Sequence, residues 1–415
     1  MVQEVQQRVL AAVDENEMID LAKRLCEFPS FKTEETEVAR FLADYLSQRG
    51  YDVQLQEVDP GRFQTVATLK GTGGGKSLMF NGHIDIDPIA DGWRRDPWKP
   101  VVEGDRLYGG GIRNMKSGDA SMIQAAEAIR KAGVRLKGDL VIACVVGELQ
   151  GGVGTTYLCQ HGPLTDMAVV AEPHGAHNIM TVHAGVVAMA VHTKGRSRHT
   201  SRKGDHIDAI EKMYKAITAI NSIELTYTRR PDLPDLPLVN VGVIIGGMGR
   251  DYDLKGPNFS SDFCTVLVDI RTLPGMSSES VVADLRRALD GIKAADKDFD
   301  YEIEMPPPPF FKVNRVVMEP FELPQGEYII DAVRRQYRTV TGKEPEKIGV
   351  VLPNSYTGND TCHLWKAGVP CVLFGPRGKS ESSEIPDEFT PISEMTLVAR
   401  VLALTALDVC NLPNN

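Results

Sequence analysis

"DLVIACVVGELQGGVGT" (residues 139–155) decides the fold. From Leu140 to Val146 the run is apolar without alternation, as in a strand covered on both faces, and such strands belong to parallel sheets flanked by helices. The run stops at Gly147, an acid follows at Glu148, a hydrocarbon at Leu149, and then a glycine-rich turn. In open α/β sheets the working groups collect at the carboxyl ends of strands, so Glu148 stands where chemistry is expected.

Working outward, "SLMFNGHIDIDP" (77–88) and "MAVVAEPHG" (167–175) are two more strands that end in polar clusters. They place His83, Asp85 and Glu172 beside Glu148. "SGDASMIQAAEAIRKAG" (117–133) reads as an alanine-rich helix closing on glycine. Strands alternating with helices predict a largely parallel α/β layer. From about residue 183 the rhythm changes. "GVVAMAVHTKG", "DHIDAIEKMYKAITAIN", "LPLVNVGVIIGG", "DFCTVLVDIRTLPG", "SSESVVADLRRALDGIKAA" and "FDYEIEMP" read as βαββαβ, a ferredoxin-like unit. A proline run at 306–309 marks its exit, and the α/β pattern then returns. The expectation is an α/β catalytic domain of residues 1–182 and 308–415, interrupted by an α+β domain of residues 183–307.

The length of 415 residues exceeds what one core normally organises. A net charge of −10 argues against a nucleic-acid binder or an anionic-membrane binder. No apolar run is long enough to span a bilayer, and the acidic amphipathic N-terminus is unlike a signal peptide. Seven scattered cysteines with no C-x-x-C pair read as reduced thiols in a cytoplasmic protein.

Several segments, in order, resemble the di-zinc metallopeptidase family of acetylornithine deacetylase, succinyl-diaminopimelate desuccinylase, aminoacylase-1 and the glutamate carboxypeptidases. They are "NGHIDIDP", "GWRRDPWKPVVEGDRLYGGGIRNMKSG", "GELQGGVGT", "VVAEP", "KGRSRHTS", "VLVDIRTLPG" and "GNDTCHLWKAGVPCVLFGP". The resemblance covers nearly the whole chain. It implies two zinc ions sharing a bridging aspartate and a water, a glutamate general base, and a lid and dimerisation domain. It also implies that a lid histidine serves the neighbouring subunit of a homodimer.

Carried over residue by residue, the resemblance makes His83 a metal ligand, Asp85 the acid that orients it, Glu172 an acidic ligand, Glu148 the general base and His199 the lid histidine. The bridging aspartate position holds Asn114, the metal-binding glutamate beside the base is Leu149, and the C-terminal metal histidine falls on Glu384 in "SSEIPDEF". Two dications need several anionic ligands to offset their repulsion, and that charge is missing. The expectation is one divalent metal per chain, manganese or zinc.

Plainer roles stand beside these. Glu148 could pair with Lys116 or Arg113, Asn114 could serve the loop alone, and Glu384 could be a surface acid. His174 or His177 could replace a lost ligand or be solvated. Arg271 could pair with Asp269. Arg377, Arg271 and Asn240 are the substrate-binding candidates, since arginine grips a planar carboxylate through two hydrogen bonds. The expected function is a metal-dependent hydrolase acting on an amide or other C–N bond of a small anionic substrate. The alternatives are hydrolytic deamination of an aromatic amine, similar to that of nitroanthranilate, and a non-catalytic scaffold.

Overall fold

The computed structural model describes residues 2–202, 204 and 206–414. The chain forms two compact units. The first comprises Met1–Val182, Glu322–Asn354 and Asn359–Asn415; the second comprises His183–Phe321 and Ser355–Gly358.

The first unit is built on an eight-stranded sheet. At its centre the strands Leu140–Val145, Leu78–His83, Met167–Val170 and Cys371–Leu373 run parallel, with Leu78 opposite Leu140 and His83 opposite Val145. These strands are buried throughout, which is why they lack alternation. Asp52–Asp59 and Arg62–Leu69 extend one side antiparallel, and Asn178–Met180 and Lys347–Gly349 complete the other. The helices Ser117–Lys131 and Ile392–Val409 pack together, and alanines on both let the backbones approach. The small sheet of Val101–Glu103, Arg106–Tyr108, Lys379–Ser380 and Glu388–Pro391 lies in the same unit.

The second unit has the predicted βαββαβ order. Its strands are Gly185–Lys194, Leu238–Gly247, Phe263–Thr272 and Asp300–Glu304, and its helices are Ala209–Asn221 and Ser278–Ala295. Phe263–Thr272 lies between Leu238–Gly247 and Gly185–Lys194, all antiparallel, and Asp300–Glu304 forms the other edge. The second unit continues past the proline run to Phe321, with Met318 bridged to Val186. Among the described residues no helix is long and apolar enough to cross a membrane.

Candidate metal centre

Three strands of the first unit end together, and each delivers one group. His83 closes Leu78–His83, Glu148 lies just beyond Leu140–Val145, and Glu172 just beyond Met167–Val170. Ligand atoms of these three buried residues lie within 4.8 Å of one another.

The turn that carries Glu148 requires glycine. Gly147, Gly151 and Gly152 have φ of +67°, +91° and +83°, a region that side chains strain to adopt. A Cβ on Gly152 would also lie 2.5 Å from Asp360 Oδ1. The Asp85 carboxylate fixes the turn: its Oδ1 accepts from the Glu148 N–H (3.1 Å) and its Oδ2 from the Leu149 N–H (3.0 Å). A deeper anchor is Arg62, which donates to Glu35 through Nε (2.9 Å) and to Gln150 Oε1 through an Nη (2.9 Å).

His83 Nδ1 lies 2.8 Å from the main-chain oxygen of Asp85 and 3.5 Å from its carboxylate. Both partners accept, so Nδ1 carries a proton and Nε2 faces the cluster. Nε2 is 3.1 Å from Asn114 Oδ1, 3.5 Å from Glu172 Oε1 and 3.9 Å from Glu148 Oε2. Asn114 reaches this position from the irregular turn Ile112–Lys116, where its own φ and ψ of −136° and 99° are not helical.

The electrostatics favour a cation. Burial opposes a charge on His83, but Glu172, Asp85 and Glu148 outweigh it and hold the imidazolium well above the usual histidine range. Burial pushes Glu148 well above the usual carboxylate range; His83 opposes this, and Glu172, Asp360 and Asp85 add to it. Glu172 is raised for the same first reason, offset by His83 and by a hydrogen bond from Asn359. A divalent ion among these groups would offset the crowding of buried carboxylates. The imidazole, the two carboxylates and the amide oxygen are ligand types that suit zinc or manganese, so the residues present fit a metal.

Other predicted residues fall elsewhere. Glu384 is exposed on a turn where its N–H meets Ser382 Oγ, and it is not one of the three clustered residues. Glu388, at the start of the strand Glu388–Pro391, is the less exposed acid: it meets Arg113 at 3.3 Å, and burial, with Asp87 adding, raises its pKa. Neither suggested cation pairs with Glu148: Arg113 is taken by Glu388, and Lys116 donates to the Phe28 carbonyl (2.6 Å). Burial lowers the Lys116 pKa to about 8. His177 meets the Tyr337 hydroxyl at 2.8 Å, and neither it nor His174 joins the three-residue cluster. Arg377 is exposed, and its N–H donates to Glu394 (2.7 Å).

His199, Arg271 and Asn240 belong to the second unit. His199 is exposed, with Nδ1 2.8 Å from Ser201 Oγ and its ring edge-on to Phe259. Arg271 pairs with Asp269 through two 2.9 Å contacts, and Asn240 stands opposite Asp269 across the strands. Lys203, four residues beyond His199 in the sequence, lies outside the described residues. All seven cysteines are unpaired.

Sequence reasoning passed over Asn359 and Asp360. Both are buried beside the cluster, and Thr155 Oγ1 donates to Asp360 Oδ2 (2.8 Å). Burial raises Asp360 to about 7, with Thr155 and His83 opposing and Glu172 and Asp85 adding. Their signal was "GND" at the head of the resembling segment "GNDTCHLWKAGVPCVLFGP", where turn chemistry gave neither residue a role of its own.

A parallel sheet with a ferredoxin-like insertion, and a buried imidazole–carboxylate group at its strand ends, defines a metal-dependent C–N hydrolase. The chain belongs to the peptidase family M20/M25/M40, whose profile matches residues 79–408. It is 27% identical to the N-formyl-4-amino-5-aminomethyl-2-methylpyrimidine deformylase of Halalkalibacterium halodurans, over 98% of both chains. It is 30% identical to the acetylornithine deacetylase of Proteus mirabilis, over 66% of this chain and 72% of that one. Among solved structures it resembles the di-peptidase Dug1p of Saccharomyces cerevisiae, with a TM-score of 0.75 at 14% identity and 99% coverage of both chains.

Proposed function

We propose that this enzyme holds one divalent metal per chain, manganese or zinc, and hydrolyses an amide or related C–N bond in a small carboxylate-bearing substrate. The observation that carries this reading is the convergence of His83 Nε2, Glu148 and Glu172 beside an amide at Asn114 and a hydrocarbon at Leu149. An ion held by His83 and Glu172, with Asn114 Oδ1 as a neutral donor, would supply Lewis acidity and lower the pKa of water. Glu148 takes the proton of the attacking water and hands it to the departing nitrogen; its raised pKa suits both transfers. Asp85 keeps the His83 ring and the Glu148 turn in register. His199 of the partner subunit steadies the developing oxyanion in a homodimer, and arginines hold the substrate carboxylate. The free thiols support a cytoplasmic setting.

The single-ion count rests on charge. Neither Asn114 nor Leu149 supplies an anion, so a second dication would meet too little compensation. Elemental analysis of metal-saturated protein should give close to one ion per chain; two tightly held ions would sink this reading.

Hydrolytic deamination of an electron-poor aromatic amine is the second reading. Leu149, part-exposed beside Glu148, offers a flat ring an apolar contact. The full-length relative named as a pyrimidine deformylase also takes a ring-bearing substrate. A screen of N-acyl amino acids against nitro-substituted aminobenzoates, followed by carboxylate or ammonia release, separates the two. A scaffold role predicts turnover of neither and no metal.

A further inference from the structure

The turn that carries Glu148 ends on two consecutive glycines, Gly151 and Gly152. A peptide between two glycines has no side chain on either side to limit its rotation, so its orientation has to come from partners. This one is held at both ends. Its N–H, that of Gly152, donates to the carbonyls of Gly147 (3.0 Å) and Glu148 (3.1 Å). Its oxygen, that of Gly151, meets His363 Nε2 at 2.7 Å. A carbonyl only accepts, so Nε2 carries a proton and donates it here. The peptide is planar, so fixing the oxygen also fixes the direction of the N–H. The Gly151 N–H reaches the same Glu148 carbonyl (2.8 Å). One peptide plane thus links the His363 ring to the main chain of Glu148.

His363 is itself firmly placed, on the helix Thr361–Lys366, where it is 8% exposed. Its N–H donates to the Asp360 carbonyl (3.1 Å), and its carbonyl accepts from the Ala367 N–H (3.0 Å). The ring lies so close to the turn that a Cβ on Gly152 would stand 2.5 Å from Nε2. Asp360 adds a second tie at this corner, accepting from Thr155 Oγ1 on the helix Val153–His161 that leaves the turn. Asp85 grips the turn through the N–H groups of Glu148 and Leu149, and His363 grips it from its far end.

We propose that His363 is a positioning residue for the general base: by holding the Gly151 carbonyl, its Nε2–H fixes the main chain from which the Glu148 carboxylate enters the centre. This rests on the reading of Glu148 as the base. A misplacement of about 1 Å can cost roughly 10²-fold in rate.

The test removes the hydrogen bond and then restores it. His363→Leu fills much of the space without a donor, whereas His363→Gln offers an amide N–H at about the reach of Nε2. In the metal-free full-length chain, amide hydrogen exchange at Gly151 and Gly152 should quicken roughly tenfold in His363→Leu and return toward the parent in His363→Gln. The strand Leu140–Val145 should exchange as in the parent. This comparison needs no substrate. Turnover is then read with Mn(II) or Zn(II) bound, on whichever N-acyl amino acid or nitro-substituted aminobenzoate the parent hydrolyses best. In His363→Leu kcat should fall roughly 10–100-fold with KM little changed, and His363→Gln should recover most of the loss. In a Glu148→Gln background His363→Leu should cost nothing further, because its target is gone. Unchanged exchange, an equal loss of turnover in both backgrounds, or no recovery in His363→Gln would each overturn the positioning role. If His363→Leu melts early, His363→Met carries the same comparison. If Glu148→Gln alone keeps near-normal turnover, it is the assignment of the base that fails, and the role of His363 falls with it.

Discussion

At the scale of single residues, Glu148 and Asp360 are the informative acids. Glu148→Gln keeps the shape and cannot accept a proton. Turnover should fall roughly 10²–10⁴-fold while the metal content stays that of the parent; near-normal activity would remove Glu148 from the chemistry. Asp360 gives a prediction in pH. Its folded pKa of about 7 lies above the ordinary carboxylate value of about 3.9. Between those values the folded, metal-free chain binds more protons than the unfolded one, so this group's contribution to stability falls as pH rises. Asp360→Asn removes that dependence and keeps an acceptor for Thr155. The difference in urea midpoint between variant and parent should move in the variant's favour from about pH 4 to about pH 7 and then level. A difference that is flat across that range would refute the assignment.

Among elements, the turn between Leu140–Val145 and the helix Val153–His161 is the one on which the site depends. It is held from above by Asp85 and from below by the buried Arg62, which is itself gripped by Glu35. Removing one partner of a buried pair leaves a charge short of compensation, and Arg62 would keep only Asp59 as an ion-pair partner, 3.2 Å away at the edge of the site. Glu35→Gln should therefore destabilise the protein by about 3 kcal/mol in chemical denaturation. Arg62 also holds Gln150, so the turnover of the folded fraction should fall with it. A loss under about 1 kcal/mol would show that Arg62 finds solvent or another acid instead.

For the whole molecule, the question is how the insertion serves the chemistry. His199 sits exposed on the ferredoxin-like unit, and the proposed mechanism supplies it to a neighbouring chain. His199→Ala should then lower kcat more than it changes KM, because an oxyanion contact strengthens as charge develops. Mixing His199→Ala chains with Glu148→Gln chains should restore partial activity, since one site in a mixed dimer has both an intact base and an intact imported histidine. With subunit exchange verified, no recovery would mean that His199 acts within its own chain or takes no part.

Local pattern carried much of this protein. Unbroken apolar runs can be satisfied only by burial on both faces, so "DLVIACVVG" and its neighbours determined the parallel centre, and the change of rhythm after residue 183 determined the ferredoxin-like insertion. Because strand ends in such a sheet converge, His83, Glu148 and Glu172 were legible as a group before any distance was known. What a one-dimensional pattern could not carry was the meeting of side chains distant in sequence. The resemblance put Glu384 at a ligand position; the fold leaves it exposed on a turn and brings Glu388, four residues on, against Arg113. Asp360 looks like an ordinary turn residue until the helix Val153–His161 brings Thr155 against it. The periodicity of burial is written along the chain. The partner of a buried polar group is chosen by whichever element folds against it, and only the tertiary structure decides that.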